Sequence, residues 1–130
     1  MKLLDNQKHN KNLQSPAKYE IQTQMEFEQK ILQNGKTPAV VVFGADWSDN
    51  SQLLTGILEN VLETLENQLT FFHVDAEKNT DLVDAMRIRS IPTTLVFHKG
   101  EVVDYFKGIL SRKKVSERLN RVIKNGSHPY

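Results

Sequence analysis

The sequence predicts an α/β domain with a mixed central sheet, parallel strands plus a C-terminal antiparallel hairpin, flanked by helices on both faces. Three observations lead there. Val40-Val41-Val42-Phe43 is apolar without alternation, the pattern of a strand buried on both faces of a sheet. Around it, strand-like and helix-like segments follow one another in the order β-α-β-α-β-α-β-β-α, and parallel neighbours need such helical crossovers. The last two strand segments are separated only by the tight turn His98-Lys99-Gly100-Glu101, so they must run antiparallel.

Each element has its own signal. Met1 to about Lys18 is rich in Lys, Asn and Gln, and reads as a polar N-terminal extension (residues 1–18) without a fixed fold. Tyr19-Glu20-Ile21-Gln22 alternates as a half-buried strand does. Thr23 and Glu26 form a capping box, and the helix they open carries Met25, Phe27, Ile31 and Leu32 and stops at Asn34-Gly35. After the central strand comes Ala45-Asp46-Trp47-Ser48-Asp49-Asn50. It feeds a helix of roughly four turns with Leu53, Leu54, Ile57, Leu58, Val61, Leu62 and Leu65 as its apolar stripe.

Thr70 to Asp75 reads as the next strand, and Asn79 or Thr80 caps a short helix ending near Asp84. Pro92 precedes the β-branched run Thr93-Thr94-Leu95-Val96-Phe97, which places it at that strand's first position. Val102 to Phe106 forms the hairpin's second arm. Ser111 caps the last helix, with Val115, Leu119, Val122 and Ile123 on one face and Gly126 as its stop. The folded domain is expected over residues 19–124, with 125–130 as a tail.

Composition narrows the function. The chain has 130 residues, 38% of them apolar and 25% charged, with a net charge of +1. That balance gives no basic surplus for nucleic acid or an anionic membrane surface. No apolar run is long enough to span a bilayer, and the first residues lack the apolar core of a secretory signal, so a cytoplasmic protein is expected. There is no cysteine. Disulfides, thiol chemistry and Cys-ligated metals are excluded for this sequence. His9, His73, His98 and His128 show no ligand spacing, so neither a metal nor any other cofactor is expected.

The markers Ala45-Asp46-Trp47, Asp75, Ile88-Arg89-Ser90-Ile91-Pro92-Thr93, Lys99-Gly100-Glu101 and Gly108 stand in one order. In that order they resemble the thioredoxin family, and the likeness covers roughly Tyr19 to Lys124. The thioredoxin fold is therefore expected, with Pro92 in the place of the family's cis-proline. The family motif W-C-G-P-C is replaced by Trp47-Ser48-Asp49-Asn50-Ser51. Both cysteine positions are serine. The resemblance also puts Val42 where the family has a buried, proton-handling Asp, and His73 where it has the Lys partner.

Loss of the proton-handling pair together with both cysteines implies a lineage without redox chemistry, so no catalytic residue is expected at Ser48 or Ser51. The expected role is binding of an extended polypeptide segment in a groove formed by Trp47, Ser48, Asp49, Asn50, Ile91, Pro92, Gly108 and Ile109, as a chaperone-like or assembly module. The competing reading is a thioredoxin-type thiol–disulfide oxidoreductase, serving cell redox homeostasis, whose cysteines have been exchanged for serine. A nucleophilic Ser48 with His73 as base and Asp46 or Asp49 behind it is disfavoured, because Ser48 is already explained as a helix cap.

Overall fold

The computed structural model describes residues 18–33, 35–66 and 68–125. The segment read as an N-terminal extension lies outside the described residues apart from Lys18, and so do Asn34 and Gly126, read as helix stops. Five strands form one sheet in the order β1-β3-β2-β4-β5. They are β1 (Lys18–Ile21), β2 (Ala39–Gly44), β3 (Thr70–Asp75), β4 (Thr93–His98) and β5 (Glu101–Lys107). β3 runs parallel to both β1 and β2, while β4 is antiparallel to β2 and β5. The fold is the expected one.

Four helices connect the strands: α1 (Gln24–Phe27, continued by a wider π-type stretch Glu28–Leu32), α2 (Asp49–Thr64), α3 (Thr80–Ala85) and α4 (Arg112–Asn125). The predicted Thr23 and Ser111 caps are in place. Thr23 Oγ1 accepts from Glu26 N at 3.1 Å, and Ser111 Oγ accepts from Lys114 N at 3.1 Å. Glu26 in turn accepts from the Gln22 amide, which with Lys30 and Thr23 holds its carboxyl below the usual range. Asn79 stands at the α3 N-cap, but its side chain donates back to Asp75 O instead of capping.

Helices cover both faces of the sheet. On one side Val40, Val42, Phe71 and Val96 meet Leu54, Leu58 and Val61 of α2 and Val115, Leu119 and Val122 of α4. On the other, Val41, Phe43, Phe72 and Val74 meet Phe27, Ile31 and Leu82. Each fully buried Leu or Phe contributes about 1.5–3 kcal/mol relative to an exposed one. Two residues of the predicted apolar stripes are instead exposed. Met25 stands two residues before Phe27, roughly 200° round the helix from it, and points out. Leu53 lies beside the Leu54-Leu58 column and is 55% exposed.

The hairpin between β4 and β5 turns on Lys99 and Gly100, with φ of 55° and 81°, the left-handed pair of a type I′ turn. A Cβ on Gly100 would lie 2.9 Å from Leu32 O, so only glycine fits. A bulge at Val96/Phe97 breaks the alternation of β5 and turns both Val103 and Asp104 inward. Buried Asp104 takes a bidentate pair from Arg118 of α4, at 2.8 and 2.7 Å. Arg118 also donates to Tyr105 O and lies 5.5 Å from the Phe106 ring centroid. That Asp104 hydrogen bond raises the Arg118 pKa.

Gly56 is exposed in the middle of α2, and a Cβ there would meet nothing within 4 Å. Gly56→Ala should therefore raise stability by about 0.5–1 kcal/mol, since alanine loses less backbone freedom on folding. A shift of the urea midpoint to higher concentration without a change of slope is the expected result.

Candidate functional site

The candidate site is the end of the sheet where β2 runs into α2. Ser48 is the N-cap of α2: it has extended backbone and its Oγ accepts from Ser51 N at 3.1 Å. Ser48 N donates to Ala45 O at 3.1 Å, and Gln52 Nε2 donates to Asp46 O at 3.0 Å, so the turn is fastened at both ends. Asp49 in the first turn suits the positive end of the helix. Ser51 is 2% exposed and its Oγ accepts from Ala45 N at 3.3 Å. Both serine hydroxyls are thus committed to backbone amides. Gly44 makes this possible, because a Cβ there would lie 2.9 Å from Ser51 Oγ and 3.0 Å from Ser51 Cβ.

The sheet register aligns one row of residues beneath the start of α2. Glu20 is opposite His73, His73 opposite Val42, Val42 opposite Thr94, and Thr94 opposite Phe106. His73 is 8% exposed, and its Nδ1 lies 2.9 Å from the Glu20 carboxylate. Its Nε2 is 3.6 Å from the place a Gly44 Cβ would take, next to Ser51. The carboxylate behind His73 is therefore Glu20, not Asp46 or Asp49, and the serine it neighbours is Ser51, not Ser48. Among the described residues no hydrogen bond joins Ser48 to His73, and both serine hydroxyls already accept from backbone amides. Val42 is fully buried between His73 and Thr94, whose Oγ1 has no partner among the described residues.

The other expected site residues gather at the same end. The Ile91–Pro92 peptide is cis. Pro92 itself is buried, and its carbonyl accepts from Gly108 N at 2.8 Å, which holds Gly108 against it. Ile109 next to it is 38% exposed. Phe43 is paired with Thr93, so Ile91 and Pro92 lie just before the paired start of β4, at the end of the sheet where β2 leads into Ala45. Ile91 is half-buried, and no backbone hydrogen bond among the described residues engages it. Asp49 and Asn50 are exposed, and Trp47 is 66% exposed. Among the described residues no group of three or more His, Asp or Glu is placed to hold a metal ion. His9 and His128 lie outside the described residues.

The family model Thioredoxin matches residues 18–121. The chain belongs to the thioredoxin family. It is 35% identical over 89 residues to thioredoxin Y2, chloroplastic, of Arabidopsis thaliana, covering 68% of this chain and 53% of that protein. It is 30% identical over 101 residues to the thioredoxin of Rickettsia bellii (strain RML369-C), covering 78% of this chain and 95% of the relative. The chain thus spans about half the length of the Arabidopsis thioredoxin. The crystal structure of Malassezia sympodialis thioredoxin (Mala s 13) superposes with a TM-score of 0.68 at 21% identity, over 88% of this chain and 93% of that one. The thioredoxin frame is present here in full, and its motif carries serine at both reactive positions. Among the described residues no helix is long and apolar enough to cross a membrane.

Proposed function

We propose that this thioredoxin-family chain binds an extended polypeptide segment and carries out no thiol–disulfide exchange. The observation that supports it is the exposure of Trp47 at the sheet end where no backbone hydrogen bond among the described residues engages Ile91. A large aromatic left uncovered beside unpaired backbone suits strand addition, in which main-chain bonds give affinity and the ring gives contact area. The serine pair supports the other half of the reading. A serine hydroxyl is not ionised at a helix N-terminus as a thiol is, and two serines form no disulfide. A cytoplasmic setting belongs to the same proposal; relatives are named for the chloroplast and the mitochondrion.

Trp47 is the chain's single tryptophan, so its fluorescence reports the groove directly. Titration with a tryptophan-free unfolded polypeptide, such as reduced carboxymethylated ribonuclease, should shift the emission to the blue and saturate. Ile91→Asp should weaken that binding about tenfold or more, as a charge facing a dehydrated contact does. A flat titration with the native chain would overturn the reading.

A further inference from the structure

β5 ends the sheet, so one of its sides has no strand beside it among the described residues. The ladder with β4 shows which backbone groups face that side. Gly108 N donates to Pro92 O at 2.8 Å, and the same register pairs Thr93 with Lys107, Thr94 with Phe106 and Leu95 with Tyr105. Antiparallel pairs alternate between hydrogen-bonded and non-hydrogen-bonded. Pro92/Gly108 and Thr94/Phe106 are therefore bonded pairs. Tyr105 and Lys107 turn their amides and carbonyls away from β4, to the open edge.

At Tyr105 that edge is occupied. Its amide donates to Asp104 Oδ1 at 2.8 Å, and its carbonyl accepts from Arg118 Nη2 at 2.9 Å. The bidentate pair at 2.8 and 2.7 Å locks the two side chains to each other, so one ion pair takes both backbone groups. Without it the strand would suit association, because the Val102 and Tyr105 side chains are exposed beside those groups.

We propose that the Asp104–Arg118 pair shuts this edge against a second copy of the chain, which would otherwise add its own β5 antiparallel to the first. The edge is self-complementary. A two-fold axis at Tyr105 sets Asp104 opposite Phe106, and Val103 opposite Lys107, of the second copy, so no like charges meet. The amide and carbonyl of Tyr105 would then bond their counterparts on the copy. The bulge at Val96/Phe97 turns Asp104 toward α4, where Arg118 meets it. A bulge and an inward-turned charge are general means of closing a sheet edge. Here they join at one residue.

Asp104→Ala/Arg118→Ala bares both groups of Tyr105 without adding a large apolar side chain. In analytical ultracentrifugation the native chain should stay at 14.9 kDa, and this variant should move toward twice that mass as concentration rises. Adding Tyr105→Val, which keeps the edge amide, should leave the association in place. Adding Tyr105→Pro, which removes that amide at a position facing solvent, should abolish it. Native chain and double variant sedimenting alike overturns the proposal, and so does association that survives the proline. A second readout needs only the native chain. The Tyr105 amide should exchange with deuterium about tenfold more slowly than the Lys107 amide, which faces the same edge. Equal exchange at the two would show that the carboxylate does not hold the edge, and would overturn the proposal as well.

Discussion

Arg118→Leu should cost about 2–3 kcal/mol of stability, read as a fall in the urea midpoint. Among the described residues, the substitution leaves the Asp104 carboxylate, 4% exposed, with the Tyr105 amide at 2.8 Å as its one remaining partner. Breaking a fully buried ion pair costs about 3–5 kcal/mol. The figure here is lower because Arg118 keeps 28% of its side chain in solvent, and water replaces part of what it gave. The guanidinium's position over Phe106 and its bond to Tyr105 O are lost as well. Asp104→Leu/Arg118→Leu should recover more than half of the loss, because with both charges gone nothing ionised is left buried. A double variant no more stable than the single one would mean that the carboxylate finds water and that the pair only fastens α4 to β5.

The parts of this fold that were legible in sequence are those set by local chemistry. β3 runs from Thr70 to Asp75, as its apolar run indicates, because both faces are buried. The Thr23, Ser48 and Ser111 caps are read from a hydroxyl standing before a helical period. What was not legible depends on register between distant segments. Glu20 and His73 are 53 residues apart and meet only because β1 and β3 pair in parallel with those two opposite. No local pattern encodes that choice. The β4–β5 bulge likewise reverses which face Asp104 takes, and a strict alternation of β5 would have left it in solvent. Arg118 did carry a signal, a cation three residues after Val115 and one before Leu119 on the buried side of α4, but its partner could not be named without the bulge.

Ser48→Cys/Ser51→Cys should restore only a trace of disulfide reduction, and adding Val42→Asp should raise the rate by about a hundredfold. Cysteine at position 48 would be a nucleophile at a helix N-terminus, where the thiol pKa falls and the thiolate forms. The exchange also removes the N-cap oxygen, at a cost of about 1 kcal/mol. The second half of the reaction is limited by proton transfer at position 51, because the resolving thiol must lose its proton to close the disulfide. Positioned acid–base groups typically contribute 10²–10⁴-fold to such steps. Val42 carries no proton, and it is fully buried between His73 and Thr94. An aspartate there would enter a row that already holds an unpartnered hydroxyl, Thr94 Oγ1, able to donate to it. Insulin reduction measured for the double and triple variants, with urea midpoints to confirm that both fold, separates the outcomes. Equal rates would mean that His73, with Nε2 beside position 51 and Glu20 behind it, already carries the proton. The valine at position 42 would then have no bearing on exchange, and the proposed absence of thiol–disulfide chemistry would rest on the two serines alone.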